Sequence, residues 1–520
     1  MAIISVTPDD VAAKLAGIGP GTEIVFKPGR YRQVLRLTGK QGTAGAPIVL
    51  RGEPGAVITD EVSADHFRRK GNELAKKVED GHVPPHKYPG LYPWMLDGRL
   101  RLERCRHVRI ESLTFEKSWP THVALLNCED MTLAGCHFID GTFAVGAEGA
   151  ATYGITIERC DWTQDRLPHR LWREIPWWRV HGAAGDGYPA VNVADDWRLF
   201  DGDFFRGDGI RGGITITRCT VSHAFNAIHL FNTERKSELA LDVNVHDCRF
   251  FEIRDNVLEA EDVAQNWWFW NNEIHNAHKW FSLECERSRY MYLFGNRGWF
   301  DSVQGPPGRD DHRGGGIFKL GKKARRCGPH YVFHNSFSTR SDYARKGLLP
   351  GMQHFNNAIR VIHPDDPLFD ETPHFFGNLS VPRDRPGAIG ERFVTAWDDH
   401  EMAWYNDVVA YAAWPQLLRD HGYPIGDLGA GSDPRFQAPF AGDLILAPDS
   451  PCRGASVGAT LQMPDGGPPW QLPAGQDVGA WQHDGVVKGP DFRPITDPRD
   501  GIDAVGSATL SSRCQNTAGG

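Results

Sequence analysis

Residues 255–263, DNVLEAEDV, place Glu259 and Glu261 two positions apart, with Asp255 and Asp262 beside them and apolar Leu258 and Ala260 in alternation. Alternation with period two marks a strand and sends both glutamates to one face. Like charges held together on a strand face repel, so structure alone gives little reason to keep them there. Paired carboxylates do suit acid–base chemistry. One donates a proton, the other attacks or activates water, and their repulsion favours keeping one of them protonated.

Two side chains on one strand make no site unless neighbouring strands bring others beside them. The elements able to do that are visible as an internal repeat. A pattern of apolar, x, apolar, x, x, then Cys or Asn recurs in MTLAGC (131–136), ITIERC (155–160), ITITRC (214–219) and VNVHDC (243–248). It continues in WWFWNN (267–272), MYLFGN (291–296), HYVFHN (330–335) and HFFGN (374–378). Indexed by Leu133, Ile157, Ile216, Val245, Phe269, Leu293, Val332 and Phe375, the steps are 24, 59, 29, 24, 24, 39 and 43 residues. A short strand, a turn and a period of 24 describe one rung of a parallel β-helix, with insertions where the step is longer. Such rungs bury their apolar sides only by stacking. The pattern predicts an all-β, single-stranded parallel β-helix. It also predicts an interior column Cys136–Cys160–Cys219–Cys248 passing into Asn272–Asn296–Asn335–Asn378, with the amides hydrogen-bonded along the stack.

A second strand should precede the ladder strand in each rung. NAIHLFN (226–232), NVLEAED (256–262), KWFSLEC (279–285), GIFKLGK (316–322) and NAIRVIH (357–363) align without gaps. Their alternation yields an outward column of His229, Glu259, Ser282, Lys319 and Arg360, flanked by Phe231, Glu261, Glu284, Gly321 and Ile362. Rungs are about 4.8 Å apart and alternate residues of a strand about 7 Å. Glu259, Glu261 and Glu284 are therefore expected to form an acidic triangle, with His229 on one side, Lys319 on the other and Arg360 one rung further. The competing reading is a solvated strand face on which Lys319 pairs with the glutamates. Trp280 and Asp262 are the expected substrate contacts beside the triangle. Trp177 and Trp178, in the long insertion DRLPHRLWREIPWWRV (165–180), are further candidates, because indole rings stack on the apolar faces of sugars.

The remaining composition narrows the classes. The chain has 520 residues and a net charge of −9, which argues against a broad basic nucleic-acid surface. No run of 18 apolar residues is present, so no membrane span is expected. The start, MAIISVTPDDVAAKLAG, lacks the pattern of a signal peptide, which suggests a cytoplasmic protein or a secreted or periplasmic one already trimmed. The same segment predicts a cap helix with Thr7 at its N-cap and Pro8 at its first position. Residues 1–99 are read as N-terminal cap plus insertion, 100–385 as the β-helix, and 386–520 as an irregular C-terminal cap. The oligomeric state has no signature in the sequence.

The segments TAGAPIVLRGEPGAVI near the start and LILAPDSPCRGAS near the end resemble the right-handed parallel β-helix family of carbohydrate-active proteins, which includes polysaccharide lyases and glycoside hydrolases. The resemblance implies a polysaccharide or oligosaccharide substrate. Hydrolysis by two carboxylates, with no cofactor, is the leading expectation from the glutamates. The pair Glu259-x-Glu261 also looks like the calcium-binding Glu-x-Glu of β-helical alginate and chondroitin lyases. That likeness implies Ca²⁺ on Glu259, Glu261 and Glu284, with β-elimination from a uronic-acid polymer. Those lyases place a Lys shortly after the pair and an Arg on the next rung. Here DVAQNWW (262–268) has no Lys, and the next rung offers Ser282, so Lys319 and Arg360 would have to serve. A glycan-binding β-helix without catalysis is the third expectation.

Overall fold

The computed structural model describes residues 2–66, 68, 96–167, 169–175, 180, 197–232, 239–300, 316–320, 329–339, 344–345, 352–361, 403–405, 408–409, 433–482, 485–487 and 489–495. The fold is a right-handed parallel β-helix built from rungs of three short strands that pair in parallel with the rungs before and after. The chain divides into two compact units, Met1–Leu230 with Phe251–Asn256, and Phe231–Phe250 with Val257–Gly520.

In the first unit one face stacks Leu35–Thr38, Gly98–Glu103, Thr121–Leu126 and Phe143–Glu148 in parallel register. A second face stacks Thr22–Phe26, Ile48–Gly52, Arg106–Glu111, Glu129–Ala134, Tyr153–Glu158 and Gly212–Thr217. The third face uses three- to five-residue strands such as Thr114–Glu116, His137–Ile139, Asp161–Thr163 and Thr220–Ala224. Rungs thus begin at residue 2 rather than near 100, and the region expected to be cap and insertion already carries coils. The strands there (AIISV, TEIVF, IVLRG) lack the Cys or Asn that marks the later repeats. The helix Val11–Ala16 buries Val11 and Leu15. It starts later than expected, with Asp10 at its N-cap. Asp10 Oδ1 accepts the Thr7 N–H at 2.8 Å and so holds the preceding turn.

The thiol column is present: Cys136, Cys160 and Cys219 are buried on successive rungs. The Cys136 and Cys160 thiols donate to Ile110 O at 3.5 Å and Leu133 O at 3.6 Å of the rung before. Burial pushes the Cys136 thiol well up, so it stays protonated and acts as a small apolar filler. Cys128 Sγ also donates to a backbone carbonyl of the previous rung, Leu102 O, at 3.3 Å.

In the second unit the shaft column changes from thiol to amide. Cys248 N donates to Asn272 Oδ1 at 2.9 Å, Asn272 Nδ2 to Asn296 Oδ1 at 3.2 Å, Asn296 Nδ2 to Asn335 Oδ1 at 3.0 Å and Asn335 Nδ2 to Asn357 Oδ1 at 2.9 Å. The ladder continues into Asn357, not Asn378, which lies outside the described residues together with the segment 374–378. The ladder strand after His330–Phe333 is Met352–Phe355, in which His354 takes the position assigned to Phe375.

Outward aromatics of the ladder strands form two stacks in this unit. Trp268, Tyr292 and Tyr331 lie 4.5 and 5.5 Å apart, and Trp270, Phe294, Phe333 and Phe355 5.7, 5.0 and 5.2 Å apart. The C-terminal residues cover them: Leu461, Met463, Leu472, Trp470 and Phe492 pack on this surface. Asn356 fastens the covering chain by exchanging two 3.0 Å hydrogen bonds with the backbone of Val457. The C-terminal region thus wraps a flank with short antiparallel hairpins. Among the described residues no helix is long and apolar enough to cross a membrane.

Candidate active site

The glutamates lie on the long strand Arg249–Trp270, which follows a whole rung and bends at Asp262 (φ 65°) and Asn266 (φ 58°). Leu258 and Ala260 point inward with 1% and 0% exposure, as the alternation requires. Glu259 and Glu261 therefore share the outer face, and their carboxylate oxygens come within 4.8 Å of each other. That is shorter than the backbone spacing suggests, because the two side chains converge.

Glu259 is only 4% exposed yet outward-facing, so its carboxylate needs partners. Ser282 Oγ on the next rung donates to Glu259 Oε1 at 3.1 Å. Lys319 Nζ lies 3.5 Å from the same oxygen. The register pairs Ser282 with Lys319, as the alignment expected. A hydroxyl and an ammonium on one oxygen stabilise the carboxylate charge, and the small Ser282 leaves room for the lysine to pass over it. Glu261 is partly exposed, as is Lys319. Asp262 sits at the bend, and its Oδ2 accepts the Asn232 N–H at 3.3 Å, which makes it a turn clamp.

Arg360 does not belong to this column. Its strand, Ala358–Val361, pairs Arg360 with Ser338, on the face that follows the Asn ladder. The Arg360 guanidinium lies over the Phe440 ring at 4.7 Å. The residue beside Lys319 on the next rung is Arg345. The segment NAIRVIH resembles NAIHLFN in its letters, but its first residue is ladder residue Asn357, so the rest falls one face later. AR (344–345) is too short to carry an alternation that alignment could find.

Trp280 also departs from expectation. It is wholly buried, stacked on Phe300 at 5.9 Å and edge-on to Phe337 at 4.9 Å. A Cβ on Gly298 would come within 2.4 Å of its ring. Its ring meets Gly298 and Phe337, which continue the inward column of buried Ile274 on the neighbouring face, so it is a packing residue and offers no sugar platform. His229 belongs to the first unit, where it is 6% exposed and its Nδ1 lies 3.5 Å from Asp203 Oδ1. The side chain of Glu284 and the whole of Trp177 and Trp178 lie outside the described residues.

For calcium the described residues of this unit fit poorly. Ca²⁺ takes six to eight oxygens. Here one of the two carboxylates already carries an ammonium and a hydroxyl on one oxygen, and Asp262 is held by backbone.

What the fold and this face define is a parallel β-helix with a Lys-paired diglutamate on its surface. No protein-family model matches the chain, and no curated protein matches its sequence. Among solved structures it is similar to a mannuronic acid specific polysaccharide family 6 lyase from human gut microbiota, with 11% identity over 83% of this chain and 92% of that one and a TM-score of 0.40. It is also similar to the pectate lyase Pel9A, with 10% identity, 92% and 96% coverage and a TM-score of 0.40. A family 28 exopolygalacturonase from Yersinia enterocolitica matches at 9% identity, 78% coverage of both chains and a TM-score of 0.41.

Proposed function

We propose that this protein is a carbohydrate-active enzyme that cleaves glycosidic bonds of a polysaccharide or oligosaccharide by glutamate acid–base hydrolysis on the outer face of the β-helix. The observation that carries the reading is the approach of the Glu259 and Glu261 carboxylates to within 4.8 Å, with Lys319 and Ser282 both on Glu259 Oε1. The environments of the two differ, which is what divides roles between acid and base. Glu259, kept charged by its partners, attacks the anomeric carbon. Glu261, nearer solvent, protonates the leaving oxygen and then deprotonates the water that releases the product. Carboxylate oxygens that come within 4.8 Å of each other fall short of the roughly 6.5–9.5 Å that inversion needs for an intervening water, which favours retention of configuration. No calcium is required.

The second reading is β-elimination from a uronic-acid polymer. The Lys319 ammonium on the same face favours it, since a cation can neutralise a uronate. Incubation with a panel of neutral and uronic-acid polysaccharides tests both. New reducing ends without ultraviolet absorbance of unsaturated uronate are expected. Unsaturated products that increase with added Ca²⁺ would replace hydrolysis by elimination. Binding without any product would leave a glycan-binding protein.

A further inference from the structure

The first unit carries a second constellation, independent of the diglutamate. His169, His223 and Glu252 each present one donor atom, and the three atoms lie within 4.8 Å of one another. They come from three separate elements. His169 precedes the π-helical turn Arg170–Glu174 of the long insertion, His223 lies on Thr220–Ala224, and Glu252 on Arg249–Trp270. Glu252 is 4% exposed, and each of its oxygens faces one imidazole: Oε1 that of His169, and Oε2 that of His223 at 3.4 Å. His223 Nδ1 is shielded from solvent and has no hydrogen-bond partner among the described residues, so hydrogen bonding does not by itself account for that ring's placement. The approach of His169 is fixed from behind. Asp165 accepts two 2.6 Å bonds from Arg170 and the Leu167 N–H at 3.1 Å, clamping the turn.

We propose that His169, His223 and Glu252 bind a divalent transition-metal ion of the Zn²⁺ class, which pins the insertion to the β-helix. Two imidazoles and one carboxylate are a donor set Zn²⁺ accepts, with a further position left for water. Imidazole donors select against Ca²⁺ and Mg²⁺, which take oxygen. Three ligands from separate elements make the ion a cross-link that only the folded chain can hold, so binding must raise stability.

The test uses the full chain stripped of metal and titrated with Zn²⁺. Calorimetry should show one saturable site per chain, and the melting temperature should rise with Zn²⁺ concentration. Co²⁺ in its place should give the visible absorption of a low-coordinate site with nitrogen donors. His169→Ala, at a half-exposed side chain, leaves the core untouched. It should weaken Zn²⁺ binding by at least about 100-fold, beyond the 10- to 100-fold typical of outer-shell changes, and His223→Ala should do the same. Absence of saturable binding would overturn the proposal, as would binding and stabilisation unchanged in His169→Ala. Neither result bears on Glu259 and Glu261, which no variant here touches.

Discussion

Lys319 reaches back across the rung that carries Ser282 to place its ammonium 3.5 Å from Glu259 Oε1. Two rungs span about 10 Å, so the contact needs the full length of the lysine and a small residue between. The pairing sets different consequences for the two glutamates.

Glu261→Gln should leave stability unchanged or slightly raised, since it removes repulsion from a partly exposed group. Glu259→Gln strips a nearly buried ion pair of its anion and should destabilise by on the order of 1–3 kcal/mol, the value for a buried pair discounted for the partial exposure of Lys319. Adding Lys319→Met should recover much of that loss, because the stranded charge goes with it. Chemical denaturation of the two singles and the double checks this. Both Gln variants should lose about 10²- to 10⁴-fold in turnover, and near-normal turnover in both would place the chemistry elsewhere.

Trp280→Ala should behave as a core truncation. Its ring fills the space above Gly298 and between Phe300 and Phe337. The expected cost is about 3–5 kcal/mol, with no selective rise in KM at temperatures where the variant is folded. Gly298→Ala should also destabilise, since the added methyl meets the buried indole. A large KM effect without loss of stability would restore a substrate-stacking role for Trp280.

The repeat made the fold readable because stacking demands the same chemistry at the same place in each rung. Ladder amides and alternating apolar residues are such demands, and the Ser282–Lys319 register followed from them. Arg360 was misplaced because the two strand types flanking a turn share one alternation, so letters alone do not say on which side of the ladder a segment falls. Trp280 was misplaced because alternation speaks only for residues within one face, whereas its ring meets Gly298 and Phe337, inward residues of the face beside it; nor does alternation tell an open outward position from a covered one. The outward aromatics Trp268, Tyr292 and Tyr331 illustrate the same limit. Their partners Leu461, Met463 and Trp470 lie more than a hundred residues away, with no periodic signal linking them. The His169–His223–Glu252 group was invisible because, although His223 and Glu252 each stand four residues after a column cysteine (Cys219 and Cys248), His169 comes from the long insertion, which carries no repeat.

The amide ladder should be far less tolerant than the thiol column. Asn296 is buried, and its Nδ2 donates to Phe269 O at 2.9 Å and to Asn335 Oδ1, while its Oδ1 accepts Asn272 N at 3.1 Å and Asn272 Nδ2. Asn296→Ala removes all four bonds, taking a partner from the buried backbone groups Asn272 N and Phe269 O of the rung before and from the amides of Asn272 and Asn335. A loss of at least about 3 kcal/mol is expected at 1–3 kcal/mol for each stranded group. Cys160→Ala removes only weak thiol bonds and should cost markedly less. Equal losses for the two would mean that the amides act only as fillers.

Acid should destabilise the first unit through His122. This imidazole is fully buried between Phe115 and Phe138, and its Nε2 donates to the Asp140 carbonyl at 2.6 Å. Burial is the dominant cause that lowers its pKa to about 4, and the carbonyl only partly opposes it. The unfolded chain binds a proton near pH 6.5 and the folded one only near pH 4, so between these values unfolding takes up a proton and stability rises with pH. The contribution is present in full above about pH 6.5. It falls away as the pH drops toward 4 and amounts to about 3 kcal/mol at 1.36 kcal/mol per unit. His334 in the second unit, also lowered by burial to about 4, should add a similar slope there. His122→Gln keeps a donor for the carbonyl but cannot take up the proton. It should lower stability at pH 7.5 while losing this part of the acid sensitivity, so that the difference from the native chain narrows at pH 4.5. Denaturant unfolding of both chains at the two pH values measures that difference, and a gap independent of pH would show that His122 is not held neutral in the fold.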